Sequence, residues 1–269
     1  MKSSVVRVGA VNYLNTKPLI HDLPRLAPQA RLILDLPSRL ADGLAAGSLD
    51  VALIPVIEFF QNPSYTIVSD AAIACRGPVL SVKLLSRVPV ERIRSLALDE
   101  GSRTSIALAR ILLHERYDLS PDLEPLPIGA SIGDTSADAV LLIGDRAIHS
   151  PGGPFAEVWD LGDEWCRWAG LPFVFAVWAA HAGTDLGGVD VALGEARDLG
   201  VAHLDDIARR EAAALGLTQP QCLTYLRDNL HFYLGPRELA GLERFARLAA
   251  DMNLAPAGVE LGLCTSKTA

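Results

Sequence analysis

Aromatic residues are scarce in this chain, at 6% of 269 residues, and lysine is scarcer still, with only Lys2, Lys17, Lys83 and Lys267 among 24 basic residues. With a formal net charge of −8 and a pI near 5.2, no concentrated basic face is expected, and nucleic-acid binding loses its electrostatic basis. The four cysteines, Cys75, Cys166, Cys222 and Cys264, form no C-x-x-C pair, so a zinc site or redox motif has no support and reduced thiols are expected. The longest apolar run, residues 171–180, falls far short of the roughly 20 residues a membrane helix needs. A strand pattern begins by Val5 and leaves no room for a secretory leader, so the expected location is the cytoplasm.

Catalytic and cofactor motifs are missing as well. There is no G-x-G-x-x-G, no G-x-x-x-x-G-K-[ST], no H-E-x-x-H and no G-x-S-x-G, which removes motif support for dinucleotide, P-loop, zincin and α/β-hydrolase readings. His21, His114, His149, His181, His203 and His231 share no motif with one another. No metal and no cofactor are expected.

What is present is a generous core. Hydrophobic residues make up 50% and charged residues 21%, with a mean hydropathy of +0.26. The length suggests two lobes of about 100–150 residues. Strand-like runs at residues 5–11, 31–36, 50–54, 95–98 and 139–143 alternate with helical patterns at 38–46 and 102–115, the sign of parallel sheets with crossover helices. Extended segments at 65–75 and 78–85 interrupt this rhythm, which restarts and then returns through an apolar run at 172–180. Beyond about Gly187 the pattern is almost wholly helical. This predicts an α/β protein with a mixed, mostly parallel sheet in each lobe: residues 1–83 plus 177–269 form one lobe, 84–176 are inserted as the other, and hinges lie near 82–86 and 176–179.

In an open parallel sheet ligands bind beyond the carboxyl ends of the strands, where loops open into helices. The richest such loop is 101–105, where Ser102, Arg103, Thr104 and Ser105 open a helix. Free N–H groups, hydroxyls and the dipole make it an anion cradle, although Ser102 also reads as a plain cap with Arg103 in solvent. Asn15, with Thr16 beside it, suits a ligand hydroxyl or carboxylate and equally a helix cap. Ser38 with Arg39 reads first as a cap. Asp145 is a cap or a cleft carboxylate, and Ser81 a strand hydroxyl or a cleft donor.

Several segments together carry a resemblance. R-V-G-A-V-N-Y-L-N-T-K-P-L, S-R-L-A-D-G-L-A-A-G-S-L-D-V-A-L-I-P-V-I-E, G-P-V-L-S-V-K-L-L-S, D-E-G-S-R-T-S-I-A-L-A-R-I-L-L, L-I-G-D-R-A and W-A-G-L-P-F-V-F-A-V-W occur in order, and the chain resembles the chorismate dehydratase family of the futalosine route to menaquinone. The second segment is shared by many type II periplasmic-binding-protein folds. The Asn15 segment, the R-T-S-x-A-L-x-R run and the G-L-P-F-V-F-A-x-W run are more specific.

The resemblance implies that two-lobed fold, with chorismate as small-molecule ligand in the interlobe cleft. It also implies a lyase that removes water to give 3-[(1-carboxyvinyl)oxy]benzoate. It carries Asn15 and Ser81 over as polar active-site residues and the 102–105 turn as a carboxylate-binding helix end; Asp145 and Arg39 rest on the residue reading alone. With no strong side-chain base in the motif loops, the substrate's own enolpyruvyl carboxylate is expected to take the ring proton. The rival readings are a non-catalytic small-anion-binding protein, the effector lobe of a transcription regulator, which would need a helix-turn-helix ahead of Val5, and a sister enzyme of the same pathway. That sister enzyme, a 1,4-dihydroxy-6-naphthoate synthase, relies on a histidine base, for which His149 is the sole candidate here.

Overall fold

The structure is a computed structural model that describes residues 5–149, 152–259 and 261, so Lys2, Lys267 and Cys264 lie outside the described residues. Its strands are β1 (Val6–Val11), β2 (Ala30–Asp35), β3 (Val51–Pro55), β4 (Tyr65–Cys75), β5 (Val82–Ser86), β6 (Ser95–Asp99), β7 (Asp122–Leu126), β8 (Ala139–Ile143), β9 (Glu157–Asp160), β10 (Phe173–His181) and β11 (His231–Tyr233). The α-helices are α1 (Leu23–Leu26), α2 (Pro37–Ala45), α3 (Val56–Gln61), α4 (Arg103–Tyr117), α5 (Asp145–Ile148), α6 (Leu161–Ala169), α7 (Val189–Ala202), α8 (Leu204–Glu211), α9 (Gln219–Thr224) and α10 (Pro236–Asp251). A 3-10 turn, Leu14–Ile20, follows β1, and a π-helical turn, Tyr225–Asn229, follows α9.

The strands form two sheets, ordered β11-β4-β10-β3-β1-β2 and β7-β6-β8-β5-β9. Both are mixed, with three of five pairings antiparallel in the first and two of four in the second, which corrects the expectation of mostly parallel sheets. In the first, β1 runs parallel to β2 and β3, while β10 is antiparallel to β3 and β4. In the second, β6 is parallel to β7 and β8, and β5 is antiparallel to β8 and β9. The reversal has a topological cause. β4 carries the chain toward the second sheet, and β10 brings it back alongside β4 in the opposite direction.

The first sheet thus takes strands before residue 76 and after 172, and the second takes those between 82 and 160. The passages between sheets are residues 76–81 and 161–172. Of the two segments expected as hinges, 82–86 forms β5 and 176–179 lies inside β10. Apolar continuity through Phe173, Val174 and Phe175 reads as one strand because it is one strand, buried on both faces.

The central strands are near-continuous apolar runs: every residue of β3 and β8 is buried, and of β10 only His181 is not. In the second lobe the strand period of two splits the core. Leu84, Leu96, Leu98, Leu141 and Ile143 join the main core, while Leu85, Ala97, Val140 and Leu142 form a smaller cluster on the other face. The return passage is fixed by aromatics. Trp165 of α6 meets Phe173 at 5.2 Å and Phe245 of α10 at 5.9 Å, and its Nε1 donates to Pro172 O at 3.1 Å.

Close packing also places the Leu14–Ile20 turn. A Cβ on Gly200 of α7 would stand 2.0 Å from Pro18 O, so only glycine lets α7 lie directly against that turn. Beyond residue 187 the chain is helical as expected, apart from the three-residue edge strand β11, too short to leave a periodic signal. Among the described residues no helix is long and apolar enough to cross a membrane.

Candidate active site

The loops at the strand ends meet in a cleft between the sheets that encloses about 480 Å³ of atom-free space, its mouth included. Asn15 and Tyr13 line it from the first lobe, Ser102, Ser105 and Gly144 from the second, and Ser81 from the passage between them. Its apolar walls include Val11, Ile73, Val79, Ile143 and Phe175. Apart from the Tyr13 phenol, the described lining residues carry no ionisable group. The polar contacts available to a ligand are neutral amides and hydroxyls.

Ser102 caps α4, with its side chain accepting from Ser105 N at 3.4 Å and lying 3.0 Å from Ser105 Oγ. The 15-residue helix behind it directs its positive end at the cleft. Asn15 Oδ1 accepts from Thr16 Oγ1 at 3.3 Å, so Thr16, itself fully buried, supports the amide from behind. Ser81 sits in a tight turn where its N–H donates to Val79 O at 2.8 Å, and its carbonyl accepts from Gly144 N at 2.9 Å.

That turn is held by a residue that sequence reasoning missed. Asp160, at the end of β9, accepts from Val79 N at 2.9 Å, Leu80 N at 2.6 Å, Gly162 N at 3.0 Å and Asp163 N at 3.1 Å. Burial pushes its carboxyl up from the ordinary range, and these N–H donors pull it back. Leu80 has a φ of 60°, a strained value for a branched side chain, and the carboxylate holds it there. A lone Asp after a short strand carries no motif, which is why it escaped notice.

Tyr13 was also missed. Its ring lies across Gly144, and its hydroxyl oxygen stands 3.4 Å from where a Cβ on Gly101 would be. Burial first, then the charges of Asp99 and Asp145, push the phenol up to about 12. Asp99 ties the second lobe's strand ends together, accepting from Gly101 N at 3.0 Å, Ile143 N at 3.2 Å and Arg146 Nη2 at 2.5 Å.

Several expected ligand contacts turn out to bridge the lobes or face away from the cleft. Asp145 accepts from Leu14 N at 3.1 Å across the lobes, and the cap position of α5 belongs to Gly144. Burial raises the Asp145 carboxyl, opposed by that bond. Arg103 does not line the cleft; it pairs with Asp42 at 2.9 Å and Glu58 at 3.1 Å on the first lobe. Thr104 is fully buried and accepts from Ile57 N at 3.3 Å. Ser38 is buried inside α2, whose cap is Leu36, and Arg39 is exposed beside Asp35 at 3.5 Å. The opening turn of α2 presents Pro37 to the cleft, because Pro at the first helical position sets the entry angle. His149 is exposed and bonded to Leu215 O at 3.0 Å, away from the cleft. Among the described residues no group of three or more His, Cys, Asp and Glu is arranged to hold a metal ion.

Two α/β lobes with a cleft between them define a protein of the periplasmic-binding-protein fold, and solved structures agree. A protein of Archaeoglobus fulgidus is 14% identical with a TM-score of 0.74, covering 94% of this chain and 99% of its own. The periplasmic aliphatic sulphonate binding protein of Escherichia coli is 18% identical with a TM-score of 0.63, covering 95% and 90%. Sequence goes further than fold. The family model described as menaquinone biosynthesis matches residues 6–251, and a chorismate dehydratase of Thermus thermophilus is 33% identical over 267 residues, 93% of this chain and 96% of that protein. The chain belongs to this menaquinone biosynthesis family.

Proposed function

We propose that this protein is a hydro-lyase that converts chorismate to 3-[(1-carboxyvinyl)oxy]benzoate in menaquinone biosynthesis. The observation that carries the reading is the cleft itself: neutral donors from both lobes, no ionised side chain in its lining, and a helix N-terminus facing it, in a chain of this family. A cytoplasmic location belongs to the same reading and is supported by the biosynthetic character of the family.

Chorismate is a dicarboxylate whose ring becomes aromatic when it loses a hydroxyl and the hydrogen on the neighbouring carbon. Aromatisation supplies the driving force, so the protein has mainly to orient the substrate and exclude water. The enolpyruvyl carboxylate takes the ring proton, the C–H electrons form the new ring double bond, and the hydroxide leaves and is protonated to water. Asn15 and Ser81 hold that carboxylate, and the α4 end at Ser102 and Ser105 holds the ring carboxylate. No protein residue forms a covalent bond in this scheme.

Incubating the purified protein with chorismate and following the loss of its diene absorbance tests the reading. Asn15→Asp places a negative charge beside a carboxylate and is expected to abolish nearly all turnover, whereas Ser102→Ala is expected to act mainly on KM. Unimpaired Asn15→Asp would remove the assignment. A histidine-dependent sister activity is not favoured, since the described cleft lining holds no histidine.

A further inference from the structure

The π-helical turn Tyr225–Asn229 lies far along the chain from the cleft residues yet reaches them at two points. Asn229 Nδ2 donates to Pro78 O at 2.9 Å, gripping the passage that ends in Ser81. At the other end of the turn Tyr225 is wholly buried, and its hydroxyl lies against the side chains of Ser81 and Asn15. That hydroxyl makes no hydrogen bond of full geometry with any described residue. Leaving a buried hydroxyl so poorly satisfied costs about 1–3 kcal/mol. Phenylalanine would fill the same space without that penalty, so packing gives no reason for the oxygen. π-Helical turns are rare and concentrate at functional sites.

We propose that Tyr225 is a positioning residue, whose hydroxyl, set against both Asn15 and Ser81, fixes the directions in which those two side chains face the cleft. The inference rests on the chorismate reading above. Burial keeps the phenol protonated far beyond neutral pH, so it acts as a neutral hydroxyl beside those side chains and not as a base. Its loss leaves Asn15 and Ser81 in place but free to turn, which damages the reacting geometry more than ground-state binding.

The test uses wild type, Tyr225→Phe, Ser81→Ala and the double variant, with initial rates on chorismate and a thermal melt of each. Tyr225→Phe is expected to melt no lower than wild type and to lose about tenfold in kcat. KM should change by less than about threefold. In the Ser81→Ala background the loss should shrink, because part of it acts through Ser81. If wild type turns over chorismate and Tyr225→Phe keeps its kcat, the inference is overturned while the functional reading stands. A fully independent loss in the Ser81→Ala background, or a lowered melting temperature with kcat intact, overturns it too. Wild type that leaves chorismate untouched overturns the functional reading, and the inference with it.

Discussion

Gly144→Ala separates closure of the cleft from folding. Gly144 has φ 74° and ψ −160°, a conformation essentially reserved for glycine, so any side chain there costs about 1–3 kcal/mol of strain in every state of the lobe. The second cost arises only when the lobes are together. An alanine Cβ would stand 2.8, 3.0 and 3.1 Å from Cζ, Cε2 and Cε1 of Tyr13, where ordinary contacts begin near 3.4 Å, so the ring must recede by several tenths of an ångström. Leu14 N then loses its grip on Asp145, and the closed form loses about 1–2 kcal/mol, a factor of about 5–30. Initial rates against chorismate concentration should show KM raised by that factor, and far-UV melts should show a separate loss from strain. Tyr13→Ala in the same chain should relieve the closure cost and leave the strain. A Gly144→Ala protein with wild-type KM would refute the seat of Tyr13 on Gly144 as a closing contact.

Other outcomes follow from contacts across the lobes and beneath Ser81. Arg103→Met removes pairs to the exposed Asp42 and the less exposed Glu58, each worth about 0–1 kcal/mol, so KM should rise by no more than about thirtyfold. Wild-type KM should also rise with salt more steeply than the variant's. Asp160→Ala frees Val79 and Leu80 and removes the cap of α6; a stability loss of about 2–3 kcal/mol and a fall in kcat are expected from melts and rates. Because burial raises Asp145, the folded protein binds its proton more tightly than the unfolded chain does. Its cost is present at neutral pH and fades as pH falls through the raised value toward the ordinary one of about 3.9. Asp145→Asn keeps an oxygen for Leu14 N, so it should melt no lower than wild type at neutral pH, with the difference closing on acidification. A deficit equal at every pH would contradict this.

Much of the fold was legible because it is written in short-range pattern. The apolar runs of β1, β3, β8 and β10 and the Ser102 cap of α4 are local signals, and the structure places them as read. Asn15, Ser81, Ser102 and Ser105 come together at one cleft, because loops beyond strand ends were the right places to look. What could not be read were facts about partners distant in sequence. Arg103 and Asp145 were seen as polar groups near a ligand, but their partners, Asp42 with Glu58 and the Leu14 amide, lie 45 to 131 residues away. Tyr225 sits in a mostly helical segment with no polar motif, and nothing local reveals that its hydroxyl lies near Asn15 and Ser81. Gly144 has the same difficulty: a glycine after a strand announces a turn, not a seat for an aromatic ring.

The engagement of Arg103 by acidic residues bears on the chemistry. A cleft that holds a dianion would gain affinity from a guanidinium in its wall, and the one at the mouth of α4 is drawn instead to Asp42 and Glu58. If the substrate's carboxylate is the base, this is the arrangement the reaction needs. A cation within about 4–6 Å lowers a carboxylate's pKa by about 1–3 units, and a weaker base removes the ring proton more slowly. Amides, hydroxyls and a helix end orient an anion while taking less of its basicity than a full positive charge would. On the proposed reading, neutral contacts from Asn15 and Ser81 keep the enolpyruvyl carboxylate reactive while Ser102 and Ser105 hold the ring carboxylate, and Arg103 pairs with Asp42 and Glu58 across the lobes.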